Sequence, residues 1–199
     1  MDETRHEGLA CQVNEDDAAD IMEQLGFIPN NLVKVASYIP KGDKHQVAVV
    51  LLYPLKSDLQ AYKVKQRTAI EPFPTIYWLV SKDLKARVSL LESQGKLQEI
   101  QHKLKHSVQA LESIKSSHEQ YASMRWSMLT ENDKLLVEKM KWKYPLEDVG
   151  IGGIQEFTYV KCLHVHYAHY LASDGKENII GRWVQELLDG QISPVSQRC

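Results

Sequence analysis

Leu32-Val33-Lys34-Val35-Ala36-Ser37-Tyr38-Ile39 and Gln46-Val47-Ala48-Val49-Val50-Leu51-Leu52-Tyr53, separated by Pro40-Lys41-Gly42-Asp43-Lys44, decide the fold class. Both runs are rich in β-branched and aromatic residues, and the segment between them holds turn formers, so they read as neighbouring strands. A third strand is expected over Thr75-Ile76-Tyr77-Trp78-Leu79-Val80, after Pro72-Phe73-Pro74. Three successive strands with short connections suggest an antiparallel sheet, and the 55–71 segment is expected to be a mobile loop.

Outside this block the periodicity is helical. Ala18, Ile21, Met22 and Leu25 share one face between Asn14, an N-cap, and Gly26, a C-terminal stop. Leu84, Val88 and Leu91 form a short amphipathic stripe before Gly95. Leu97, Leu104 and Leu111 then repeat every seven residues, with Ile100, Ser107 and Ile114 offset by three. The same register places His118, Tyr121, Arg125 and Met128 on the continued seam. Burying His and Arg costs desolvation, so they need partners or a cavity; alternatively, the helix leaves the core after Ile114 and they are solvated. Thr130-Glu131-Asn132-Asp133 starts another helix, which Tyr144-Pro145 ends, and a last helix spans about Ile180 to Leu188. The expected fold is α+β: a small three-stranded antiparallel sheet packed against a layer of helices, one of them long (about 97–128). Residues 15–190 are expected to form one domain, with flexible tails at 1–14 and 191–199.

Composition excludes several classes. Hydrophobic residues make up 43% and charged residues 25% of the 199, with a formal net charge of −2. That charge gives no global attraction to nucleic acid or to an anionic membrane. The basic segment Lys139-Met140-Lys141-Trp142-Lys143 is short and flanked by acids, so it reads as a solvated helix end. No apolar run reaches the length of a membrane span. The acidic N-terminus is neither a signal nor a transit peptide, and three scattered cysteines argue for a reducing compartment. A cytoplasmic protein is expected.

The chemistry concentrates in Val160-Lys161-Cys162-Leu163-His164-Val165-His166-Tyr167-Ala168-His169, which holds three of the eight histidines and one of the three cysteines. As one helix over 157–172, it places Val160, Leu163, Tyr167, Tyr170 and Leu171 on an apolar face. Cys162, His166 and His169 lie on the other side at i, i+4 and i+7, and His164 sits at the margin. Such a face supplies up to three ligands for zinc, with His118, Cys11 or a carboxylate as the fourth. The alternative is packing: a buried Cys behaves as a small hydrophobe, and His and Tyr line helix interfaces. Gly150-Ile151-Gly152-Gly153-Ile154 can turn N–H groups of Gly152 and Gly153 toward an anion, with Arg125 as a bidentate partner, or can simply form a tight interhelical turn.

Pro72-Phe73-Pro74-Thr75-Ile76-Tyr77-Trp78-Leu79, His118-Glu119-x-Tyr121-x3-Arg125, Gly152-Gly153-Ile154, Val160-Lys161-Cys162-Leu163-His164, Ala168-His169-x-Leu171-Ala172 and Asn178-x2-Gly181 occur in this order. The ordered set resembles the domain-of-unknown-function family numbered 501, best represented in bacteria, over about residues 15–185. The resemblance implies that His118, Tyr121 and Arg125 belong with the Cys/His helix. It favours Cys162, His164 and His169, since the family motif does not require histidine at position 166. Bacterial relatives often carry cysteines between the first two strands and after the third; here those places hold Ile39-Pro40-Lys41-Gly42 and Val80-Ser81-Lys82.

Together these readings lead to the expectation of a small hydrolytic enzyme with a Cys/His/Arg pocket for an anionic, phosphate-like substrate. Cys162 would act as metal ligand or nucleophile, His164 or His169 as ligand or general base, and Arg125 as anion clamp, with His118 and Tyr121 alongside. The metal set is Cys162, His164, His166 and His169. The rival reading is a non-catalytic interaction module whose long helix docks a protein partner, and a third is a purely structural zinc site.

Overall fold

A computed structural model describes residues 12–57 and 70–190. The order is α1 (Glu15–Leu25), β1 (Leu32–Lys41), β2 (Lys44–Leu52), β3 (Leu55–Ser57), β4 (Ile70–Pro72), β5 (Tyr77–Leu79), α2 (Lys82–Ser93), α3 (Lys96–Lys105), α4 (Val108–Ser127), α5 (Glu131–Lys139), α6 (Leu163–Ala172) and α7 (Ile179–Gly190). The fold is α+β. β1 and β2 pair antiparallel from Leu32↔Leu52 to Lys41↔Lys44, closing on Gly42-Asp43 with Gly42 at φ 60°. β5 pairs antiparallel with β2 through Val49↔Leu79 and Leu51↔Tyr77, giving the order β1-β2-β5.

β2 is the central strand, and both of its faces are covered, which explains its unbroken apolar run. Val49, Leu51 and Tyr53 join the main core with Leu84, Val88, Ile114, Tyr121, Leu163 and Val184. Val47, Val50 and Leu52 join Ile21, Leu32 and Val80 in a smaller core under α1. α1 begins as its sequence requires, with Asn14 Oδ1 accepting the Asp17 N–H at 2.8 Å, and ends on Gly26 at φ 82°. It grips β2 at one residue: Asp20 accepts the Val47 N–H and Gln24 donates to the Val47 carbonyl.

Four expectations are corrected. The long helix over 97–128 is two helices, α3 and α4, broken at His106-Ser107. Ser107 adopts an extended backbone and its Oγ accepts the Ala110 N–H at 3.2 Å, so the one polar residue in the heptad pattern caps α4 instead of filling the seam. The phase nevertheless survives, since Ile100, Leu104, Ile114, His118, Tyr121 and Arg125 are all buried. The 55–71 loop is not wholly irregular: β3 and β4 pair from Leu55↔Pro72 to Ser57↔Ile70, and residues 58–69 lie outside the described residues. α5 ends at Lys139, before Tyr144-Pro145, because Lys141 takes a left-handed φ of 60° and the Trp142 N–H returns to the Val137 carbonyl. The Cys/His helix starts at Leu163, not 157, leaving Cys162 extended at φ −156°. Of the expected tails, 1–11 and 191–199 lie outside the described residues, and Gln12 bridges to Lys34. No helix among the described residues is long and apolar enough to cross a membrane.

α6 and α7 cross at Gly181. A Cβ there would sit 2.6 Å from the His166 carbonyl oxygen and overlap Tyr170. On helix propensity alone, Gly181→Ala would stabilise by about 1 kcal/mol. The steric cost is larger and falls on backbone, so the variant is expected to lose about 3 kcal/mol. Urea denaturation checks the sign; a gain in stability would mean the crossing is looser than described.

Candidate functional site

The late start of α6, at Leu163, divides the expected pocket in two. Cys162 occupies the N-cap position and His164 the first turn, and both face α2. Cys162 Sγ lies 3.6 Å from His164 Nδ1, and Glu92 Oε1 lies 3.4 Å from the same nitrogen. Glu92 Oε1 also accepts the Leu163 N–H at 2.7 Å, so this carboxylate serves as the cap that Cys162 does not supply. One ligand atom from each of Glu92, Cys162 and His164 falls within 4.8 Å of the others. His164 Nε2 lies 3.2 Å from the Lys85 carbonyl and 3.1 Å from Ser89 Oγ. A carbonyl only accepts, so Nε2 carries a proton; Nδ1, which faces the thiol and the carboxylate, is the nitrogen that offers a lone pair when the ring is neutral. The site is open to solvent in part, with side-chain exposures of 23% for His164 and 28% for Glu92. The His164 pKa is raised, first by its bond to Cys162, against the opposing effect of burial.

The other three candidate histidines lie in the core, and their Nδ1 atoms meet hydrogen-bond donors. His118 Nδ1 accepts the Ile151 N–H at 3.0 Å. Asn178 Oδ1 accepts the Gly181 N–H, which fixes the amide so that its Nδ2 donates to His166 Nδ1 at 3.2 Å and His169 Nδ1 at 3.3 Å. Each Nδ1 is an acceptor, so each of these rings carries its proton on Nε2. His169 directs Nε2 at Glu177, 3.4 Å away, whereas His118 Nε2 and His166 Nε2 have no hydrogen-bond partner. Burial holds all three neutral: His118 and His169 are lowered to about 4 and His166 to about 3.

Tyr121 and Arg125 are likewise in the core. The Tyr121 hydroxyl accepts the Ile76 N–H at 2.8 Å, and its ring meets His169 edge-on at 5.3 Å. Burial pushes its pKa up to about 12. Arg125 donates from Nε to Leu146 O at 2.7 Å, from Nη1 to Pro74 O at 3.2 Å and from Nη2 to Val149 O at 2.5 Å. The expected anion clamp is therefore a strut between α4 and two connecting segments. The glycine loop behaves similarly. Gly150 and Gly153 donate to Ile154 O and Gly150 O, while the Ile151 N–H goes to His118. A Cβ at Gly150 would overlap the His118 ring, and one at Gly152 would press on Val165, so the loop is built to seat His118.

Sequence reasoning missed Glu92, Ser89 and the junction role of Asn178. Glu92 had a signal: it follows Leu84 and Val88 in steps of four, at the edge of the inward stripe. Asn178 holds a left-handed φ of 69°, tolerated by Asn, and its N–H reaches Ser117 Oγ at 3.2 Å.

A family described as protein of unknown function (DUF501) matches residues 41–186. The chain belongs to it. The matched segment runs from the end of β1 into α7, so the DUF501 region contains Glu92, Cys162 and His164 as well as the buried histidines. No curated protein and no solved structure matches the chain.

Proposed function

We propose that this DUF501 protein holds one zinc ion on Glu92, Cys162 and His164 and uses it as a hydrolytic centre. The carrying observation is the spacing of the donors. Tetrahedral zinc, with Zn–S near 2.3 Å and Zn–N or Zn–O near 2.05 Å, separates N and S by about 3.5 Å and N and O by about 3.3 Å. Here Nδ1 and Sγ are 3.6 Å apart, and Nδ1 and Oε1 are 3.4 Å apart. The His164 Nε2–H on the Lys85 carbonyl supports the same reading, since ligating imidazoles anchor their remaining N–H on an acceptor. His118, His166 and His169 meet donors at Nδ1, and His166 and His169 leave the ligand set on that ground. Three protein ligands at a partly exposed edge leave a fourth position for water, the arrangement of hydrolytic rather than closed structural sites. Bound there, zinc supplies Lewis acidity and a water of lowered pKa. An anionic substrate loses its main support, because the Arg125 guanidinium is occupied by carbonyls.

The second reading, a metal-free Cys162 nucleophile with His164 as base, rests on the same 3.6 Å contact. The interaction-module reading is disfavoured, since Ile100, Leu104 and Ile114 are buried in the core.

Metal analysis of the untagged full chain decides between the first two. About one equivalent of zinc is expected, absent from Cys162→Ala, His164→Ala and Glu92→Gln, and retained by His102→Ala, whose side chain is exposed on the outer face of α3. A metal-free protein whose Cys162 alkylates rapidly at neutral pH, dependent on His164 and not on Glu92, would replace zinc with the nucleophile.

A further inference from the structure

The His118–His166 pair takes no part in the zinc proposal and carries its own inference. We infer that His118 and His166 hold one internal water molecule, which accepts a hydrogen bond from the Nε2–H of each ring. Both rings are fully buried, lie edge to face with centroids 5.6 Å apart, and leave Nε2 without a partner. A buried N–H with no acceptor destabilises the fold, and two of them on rings packed edge to face are uncommon in a core. Internal water answers such groups, typically bridging two or more polar atoms.

The polarity of the site selects water over the other small ligands. A metal ion needs a lone pair, and both Nε2 atoms carry protons because Ile151 and Asn178 donate to the Nδ1 atoms. An inorganic anion needs compensating charge. Among the described residues the one buried Lys or Arg is Arg125, which is engaged with the carbonyls of Leu146, Pro74 and Val149, and the imidazoles are neutral. A neutral acceptor remains. The surroundings exclude bulk solvent: Phe157 stacks on His118 at 4.8 Å, and Gly150 closes against the same ring. Burial first, with the neighbouring His169 acting on both rings, keeps them neutral far below neutral pH, which agrees with two N–H donors and a neutral acceptor.

Long-range imidazole proton–nitrogen spectra of the full chain at pH 7, with water-selective rotating-frame transfer, test this, together with a high-resolution crystal structure. Expected are Nε2-protonated tautomers for both rings, magnetisation transfer from a long-lived water to both Nε2–H protons, and one density peak within hydrogen-bonding reach of both nitrogens. An Nδ1-protonated tautomer in either ring overturns the inference. So do a dry pair with no transfer and no peak, and a peak with the scattering of a metal or halide ion.

Discussion

Replacing Arg125 with leucine is expected to cost about 5 kcal/mol and to leave the chain without a cooperative fold. The side chain is fully buried and reaches three backbone carbonyls, at Leu146, Pro74 and Val149, that no local secondary structure serves. Two effects oppose each other. Removing a buried cation recovers desolvation, and buried charges replaced together with their partners are often neutral or favourable. Here the partners are backbone and cannot be replaced, so each carbonyl keeps a penalty of about 1–3 kcal/mol, and the volume of the guanidinium is lost as well. The penalties win, and domains of this size have only about 5–15 kcal/mol in hand. Arg125→Lys is expected to recover less than half, since one ammonium cannot reach three acceptors arranged for a planar fork. Near-ultraviolet circular dichroism and urea titration check both variants. A leucine variant within about 0.5 kcal/mol of the parent would show that the carbonyls find other donors.

Mild acid is expected to unfold the protein. Buried His118, His166 and His169 have folded-state pKa values of about 4, 3 and 4, against an ordinary 6.5. The folded values lie below the unfolded one, so below pH 6.5 the unfolded chain binds more protons and folding loses stability as pH falls. The loss stops only near the folded values. Between those limits each histidine contributes a slope of up to about 1.4 kcal/mol per pH unit, and the three together remove several kcal/mol by pH 5. Asn178 makes the step sharper, because protonating either His166 or His169 at Nδ1 replaces an acceptor with an N–H donor against its amide hydrogens. His164 works in the other direction: its raised pKa favours the fold at low pH, and that contribution fades as pH rises through its folded value. One partly exposed group does not offset three buried ones. Urea midpoints at pH 7.5 and pH 5 measure the balance, and equal midpoints would mean that the three rings are already charged or solvated in the folded protein.

Local pattern carried much of this molecule. Asn14 and Gly26 bound α1 because capping involves only neighbouring residues, and the hairpin formed from its two apolar runs and the glycine between them. The heptad phase placed His118, Tyr121 and Arg125 inward, and burial follows that phase even across the break at Ser107. The break itself was hidden, because a serine in a seam position is equally a weak core residue and a good cap, and only the bend between α3 and α4 distinguishes them. The candidate site was legible as a stretch, not as an arrangement. Cys162 and His164 stand two residues apart, yet the carboxylate that joins them comes from α2 and the carbonyl that sets the His164 tautomer lies 79 residues away. The same holds for His166 and His169, whose chemistry is decided by a single amide at Asn178 across the α6–α7 crossing. Periodicity and caps act over one or two helical turns, so local pattern sets which residues form elements and which faces turn inward. Which imidazole nitrogens meet donors and which meet acceptors is set by packing, because a ring's protonation follows whatever group distant segments bring within about 3 Å.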